Sequence, residues 1–292
     1  MRSIPLRIAG RPDGQRGGLP GRRLAVALAA VCVAAGCAAG PSPRAGQASA
    51  PRVLLLGEAH DNPDGHRQRL ELLQAEIDTG WRPAIAMEQF DRERQADLDR
   101  AAASCPDADC VIRLAASGGP QWQWAHYRPV IELALRHRLP LLAANVSRAD
   151  ASRIVRAGFA ASLDAQTITE YGLDRALPPA LLEGQRREIV QGHCGKLPES
   201  LVDGMVRAQI ARDVWMAKVV SAHAGRGAVL LAGNGHVRTD FGVARWLTGP
   251  AARHAQTVGF VEDASGASYD IVRPIARLGR PDPCEAFGSR PG

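Results

Sequence analysis

Residues 52–60 read RVLLLGEAH, and residues 229–236 read VLLAGNGH. Each is an unbroken apolar run cut off by glycine, with a histidine three residues beyond. Continuous Val, Leu and Ala is the pattern of a strand buried on both faces, as in a parallel sheet, rather than the alternation of a half-exposed one. Working outward, Arg52–Leu56, Pro83–Met87, Leu139–Val146 and Ala228–Ala232 are four expected strands. Between the first two, Leu70, Leu73 and Ile77 recur at spacings of three and four, which predicts a helix over 63–79, and 91–103 reads as another. Residues 147 to about 224 are polar and helix-favouring, broken at Pro178-Pro179 and Pro198. That stretch is too long for a simple crossover and is expected to form a helical cap. Thr257–Val261 and Tyr269–Val272 flank Ser265-Gly266 and are expected to pair as an antiparallel edge. Strands alternating with helices make this an α/β protein: a mainly parallel central sheet flanked by helices, with the cap inserted before the late strands.

A parallel sheet has a chemical consequence, because all its strand C-termini open on one rim, where crevices form. Glu58 and His60 follow the first strand, Glu88 the second and His236 the fourth. These four side chains are therefore expected to converge, although they lie far apart in the chain. Two imidazoles and two carboxylates suit a divalent transition metal with open positions for water or substrate. They also suit an acid/base pair without metal. A single GxxH arises readily by chance, and a histidine after a strand is usually an ordinary loop residue. The weight rests on two such elements joined by a third strand ending in Glu88. GNGHVR is no dinucleotide fingerprint, since Arg238 fills the third glycine position, and neither GxxxxGK[ST] nor GxSxG occurs.

The 292 residues, 46% of them hydrophobic, suffice for one sizeable core. No long apolar run, fixed period or heptad is present, which excludes a multispan membrane protein, a repeat array and a coiled coil. The formal net charge of +6 is concentrated at the start: residues 1–36 hold six Arg and one Asp, leaving 30 basic against 29 acidic residues. An overall basic groove for nucleic acid is thereby excluded. Arg22-Arg23 precede the 13-residue apolar stretch 24–36, LAVALAAVCVAAG. As a helix it would rise roughly 20 Å, short of the roughly 30 Å of a hydrocarbon core. It ends in Ala34-Ala35-Gly36-Cys37, which resembles a bacterial lipobox. The expected organisation is a lipoprotein signal peptide over 1–36 and lipidation at Cys37. A tether rich in Ala, Gly, Ser and Pro follows over 37–51, then one domain over 52–280 and a tail over 281–292. The alternative is ordinary signal-peptidase cleavage with Cys37 incidental. Ala38 is not the Asp that retains a lipoprotein at the inner membrane, so the expected place is the periplasmic face of the outer membrane. Cys105, Cys110, Cys194 and Cys284 remain. An even number in an oxidising compartment favours two disulfides over a zinc site, which would want a CxxC pair. A local Cys105–Cys110 bridge leaves Cys194–Cys284 as its complement.

The segments LLLGEAHDNPDGHRQRLELL, AIAMEQFDRERQADLD, WQWAHYRPVIELALRHRLPLLAANV, RAQIARDVWMAKVV and LLAGNGHVRTDFGVARWL together resemble the ChaN family of haem-binding lipoproteins, over roughly residues 52–250. Its superfamily also holds Tiki/TraB-type metalloproteases and erythromycin esterases. The resemblance implies an α/β fold, two stacked haems at a dimer interface and a Tyr on each iron. It further implies a part in haem and iron uptake, with a homodimer on haem binding and an outer-membrane haem receptor as partners.

This chain offers Tyr127, Tyr171 and Tyr269. A phenolate is a hard ligand suited to ferric iron. Tyr127 stands in the WAHYRP block beside Trp122, Trp124 and His126, with Arg128 available to pair with a propionate. Tyr127 could equally be a core residue anchoring a helix start before Pro129. Tyr171, in the expected cap, is the reserve ligand, and without CxxCH any haem is exchangeable. Arg212 and Asp213 resemble a superfamily helix that supports the crevice histidines. Met205, Trp215 and Met216 read as core. The favoured reading is a lipid-anchored haem-binding protein. Its rival is a metal-dependent hydrolase in which Glu58, His60, Glu88 and His236 hold the ion and a spare carboxylate activates water. A lipid-anchored scaffold is the third.

Overall fold

The computed structural model describes residues 52–116, 122–266 and 268–286. The expected signal peptide, the Cys37 lipidation site, the tether and all but the start of the tail lie outside the described residues. Within them the elements are β1 (Val53–Leu56), α1 (Pro63–Asp78), β2 (Ala84–Asp91), α2 (Gln95–Ser104), α3 (Ala108–Ala115), α4 (Trp124–His137), β3 (Leu141–Asn145), α5 (Arg148–Ala157), α6 (Ala165–Glu170), α7 (Pro179–Gly192), α8 (Glu199–His223), β4 (Ala228–Leu231), α9 (Gly249–His254), β5 (Ala255–Val261), β6 (Ile271–Pro274) and α10 (Pro283–Ala286). The strands form one sheet in the order β3-β2-β4-β1-β5-β6, and every ladder is parallel. No helix among the described residues is long and apolar enough to cross a membrane.

Each central strand is buried on both faces, and alternation divides its side chains between two cores. Val53, Leu55, Ala84, Ala228 and Leu230 pack with α5, α7 and α8. Leu54, Leu56, Ile85, Met87, Val229 and Leu231 pack with α1 to α4. The region over 147–224 is helical, and its longest member, α8, lies along the first face with Val206, Ile210, Val214, Ala217 and Val220 in that core. Gly204 lets α8 approach α5 closely, since a Cβ there would stand 2.6 Å from the Val155 carbonyl oxygen. Cys105 is bonded to Cys110 and Cys194 to Cys284.

Two expectations are corrected. The edge is parallel: β6 pairs β5 in the register Val258↔Ile271 through Val261↔Pro274. After β5 the chain runs back before forming β6, with the Asp270 carboxylate accepting from the Thr257 amide (2.8 Å) and the Tyr269 ring lying over Gly259. A turn signal between two apolar runs cannot distinguish that return from a hairpin. Glu88, expected just after its strand, lies within β2, which continues to Asp91. Its ladder with β3 shifts register between Met87 and Asp91, the stretch that carries Glu88 and Gln89.

Candidate functional site

The sheet order sets β4 between β2 and β1, so the C-terminal ends of these three strands are neighbours. The loop after β4 is clipped to the others: the Asn234 amide donates to the Glu58 carbonyl (2.9 Å), and the Asn234 side chain donates to the Phe260 carbonyl (2.6 Å) and accepts from its amide (3.1 Å). Gly57 is required beneath this clip, because a Cβ there would fall 2.2 Å from Asn234 Oδ1. Glu58, His60, Glu88 and His236 are thereby brought to one rim, as the sequence predicts, in two adjacent charge networks.

The first network centres on Glu58. Its Oε1 accepts from the Tyr127 hydroxyl (2.5 Å) and from His60 Nδ1 (2.7 Å), and its Oε2 is ion-paired with Arg69. Arg69 also donates to His66 Nδ1 (3.0 Å), and His66 Nε2 donates to the His60 carbonyl (2.9 Å), which fixes the His66 tautomer as neutral. Arg69 and Tyr127 are fully enclosed, whereas the His60 side chain is 51% exposed. Burial pushes the Tyr127 phenol well above its ordinary pKa and pushes His66 down. Aromatic rings line this side: Trp122 meets the His60 ring edge-on at 5.0 Å, His126 stacks on His66 at 4.5 Å, and Trp124 lies between Phe90 and Tyr127.

The second network centres on His236. Its Nδ1 is 2.5 Å from Asp213 Oδ1, and its Nε2 faces Glu88 Oε1 at 3.5 Å. Gln185 donates to the other Asp213 oxygen (2.7 Å), and the Gly233 amide donates to Glu88 Oε2 (2.8 Å). Burial opposes a charge on His236, yet the Glu88 and Asp213 carboxylates outweigh it and push the imidazole up to about 10. Burial likewise resists ionisation of Glu88, but His236 and the Gly233 amide hold it down to about 2. The pair is thus an imidazolium between carboxylates.

That arrangement corrects the divalent-metal expectation. Among the described residues, no group of three or more His, Cys, Asp or Glu side chains is placed to hold a metal ion. The reason is that the donors point at one another: Glu58 is engaged by Arg69, Tyr127 and His60, while His236 has both nitrogens directed at carboxylates. The hydrolase reading loses ground for the same reason, since Glu58 and Glu88 are both engaged by neighbouring groups and neither is a spare carboxylate to activate water.

Other expected residues separate. Asp213 joins the site, whereas among the described residues Arg212 reaches it through Gln209, which lies 3.0 Å from His236 Nε2. Trp124 flanks the first network, but Arg128 points away to an ion pair with Asp109 (2.6 Å). Tyr171 belongs to the core on the opposite face of the sheet from Tyr127, and burial pushes it up to about 12. Tyr269 donates to the Asn234 carbonyl (3.3 Å). Met205, Trp215 and Met216 pack in the α8 core. His193 and His223 bond to carbonyls one turn back in their own helices. Sequence reasoning missed Arg69 and His66. Their signal was positional: His66, Arg69, Leu73 and Ile77 form one buried stripe of α1, so two polar residues occupy core positions.

A family model described as haem-binding uptake, Tiki superfamily, ChaN matches residues 45–247. The structure of Campylobacter jejuni ChaN with cofacial haem is similar at 20% identity and a TM-score of 0.59, over 75% of this chain and 86% of that one. The type III effector HopBA1 matches at 11% identity and a TM-score of 0.42, over 77% and 90% of the chains. An erythromycin esterase in an open conformation matches at 14% and 0.41, over 72% and 69%. No curated protein matches the chain.

Proposed function

From the premise that the chain belongs to the ChaN family of haem-binding uptake proteins in the Tiki superfamily, we propose that it is a lipid-anchored carrier holding haem at the strand-end rim, on the periplasmic face of the bacterial outer membrane. Cys37 is the lipid attachment site in this reading, and residues 38–51 are the tether. Two copies face each other across stacked haems, and a receptor in the outer membrane exchanges haem with them.

The observation that carries the reading is the rim itself. There a half-exposed imidazole, His60, packs against Gly233, where a Cβ would come 3.0 Å from its ring, and the Trp122 indole meets it edge-on. Aromatic surface beside a half-exposed imidazole is a donor set that fits haem. When bound, haem supplies an iron centre and an extended apolar plane. The chain's own part is to stack on that plane and offer a ligand. Tyr127 enters as the residue that orders Glu58 beneath the rim, because its hydroxyl is turned inward. Tyr171 and Arg128 fall outside the rim.

Titrating the purified full chain with hemin is expected to give a saturable absorption change, weakened by Trp122→Ala. A linear, non-saturating response would overturn the reading. Mass measurement on the unlipidated protein is expected to give a dimer only after hemin is added.

A further inference from the structure

We infer that residues 275–284 form a strap closing the strand-end crevice on its β6 side, and that the Cys194–Cys284 disulfide is a latch opened by a dithiol. This rests on the haem reading above for its probe, hemin. It concerns a segment beyond residues 45–247, the part of the chain that the family model matches.

β6 runs parallel to β5, so the chain leaves it at the same rim where the charge networks lie. The Ile275 amide then donates to the Val261 carbonyl (3.0 Å), and the Ile275 side chain packs on Gly65 in the first turn of α1. The Ala276 amide donates to Asp64 Oδ2 (2.9 Å), and the Ala276 carbonyl accepts from the Asn62 side chain (2.8 Å). Arg280 pairs with Glu262 (2.9 Å) and lies 3.4 Å from Asp61. Cys284 is bonded to Cys194, just past the end of α7. The strap therefore starts against the loop that carries Glu58 and His60. It ends on the cap, whose α7 and α8 carry Gln185 and Asp213.

Its two ends are held differently. Ile275 is buried and docks the near end, but no described side chain from Ala276 to Cys284 is buried. The Arg280 side chain is 37% exposed, and ion pairs so open to water hold little. The far end is thus kept down by sulfur. Both cysteines are half-buried, which leaves the bridge within reach of a dithiol. One thiolate of the dithiol attacks a bridge sulfur and forms a mixed disulfide. Its second thiol then displaces the protein sulfur, so that Cys194 and Cys284 end as thiols and the dithiol as a disulfide. The near end stays docked through Ile275, and the strap swings clear of the rim. Cys105–Cys110, which ties the end of α2 to α3, is the internal control.

Stopped-flow hemin binding to the full chain, with excess apomyoglobin capturing released hemin, tests this. One sample is left oxidised; the other is reduced with dithiothreitol, its thiols blocked with iodoacetamide and the reagents removed. Reduction is expected to raise the association and dissociation rates together, severalfold, with a smaller change in affinity, as a gate requires. Cys194→Ser with Cys284→Ser should be equally fast without reductant and gain nothing from it. Cys105→Ser with Cys110→Ser should respond as the unsubstituted chain does. Thermal melts check that each sample is folded at the working temperature. Tryptic cutting after Arg277 should also speed up on reduction. Equal hemin rates with and without the latch, or faster dissociation with unchanged association, would overturn the gate while leaving the haem reading intact. Failure of the oxidised, unsubstituted protein to bind hemin saturably would overturn the haem reading. The tryptic rate then decides the strap: faster cutting on reduction supports it, and equal cutting overturns it.

Discussion

Arg69 sits wholly inside the protein, its guanidinium against Glu58 and His66, on a helix whose outer face carries ordinary exposed ion pairs. Removing one partner of a buried pair leaves an uncompensated charge, which costs about 3–5 kcal/mol, whereas an exposed pair contributes under about 1 kcal/mol. Arg69→Met is therefore expected to lower the free energy of urea unfolding by about 3–5 kcal/mol. Arg67→Met, whose partners Asp64 and Glu71 are at the surface of the same helix, should change it by less than about 1 kcal/mol. Equal losses would mean that Glu58 is satisfied without Arg69. His236 gives a prediction in pH. Its imidazolium is favoured in the fold, so the stability it contributes is complete below about pH 6.5 and is lost as pH rises through about 10. Glu88 has the opposite sign, with stability present above its ordinary value and lost as pH falls through about 2. His236→Gln should flatten the decline of unfolding free energy on the alkaline side; an equally steep decline would place the responsible group elsewhere. At this scale the glycine–histidine spacing was legible in the sequence, as was the presence of Glu88 at the rim, though not its place inside β2. The pairing of Glu58 with Arg69 was not, because that partner comes from a helix that no motif connects to the strand, whereas Asp213 was expected to support the crevice histidines through the resemblance and does so at His236.

The elements were legible in proportion to how much of their pattern is local. β1 and β4 announced themselves because both faces are buried, and α1 because its stripe is regular. α3 passed unnoticed, being only eight residues long, with one half of the Cys105–Cys110 disulfide inside it. The direction of β6 was misread because the residues that draw the chain back, Tyr269 over Gly259 and Asp270 on Thr257, act across the sheet rather than along the sequence. Close approach of α5 and α8 depends on one glycine. Gly204→Ala is expected to cost about 1–3 kcal/mol, since the new methyl meets the Val155 carbonyl and backbone has no rotamer to yield. Gly192→Ala, where a Cβ would meet nothing within 4 Å, should not destabilise. Chemical unfolding of the two variants compares them, and equal stability would mean that the two helices can separate without penalty.

For the molecule as a whole, the two disulfides differ in what they constrain. Cys194–Cys284 closes a loop of 90 residues and Cys105–Cys110 one of 5. The loop-entropy relation assigns about 4–5 kcal/mol to the first and about 2 kcal/mol to the second. Cys194→Ser with Cys284→Ser should thus lower the melting temperature more than Cys105→Ser with Cys110→Ser. The reverse order in calorimetry would show that native-state contacts, not loop length, govern these bridges. The sequence by itself determined the fold class and the rim, because doubly buried strands must be apolar throughout and parallel strands must all end on the same side. It also determined the family, through blocks in a fixed order. Only the tertiary structure decided what the rim can do. Whether a carboxylate faces a cation, an imidazole or open space depends on which helix lies behind it, and that choice turned an expected metal cluster into two closed ion networks with one imidazole left facing outward.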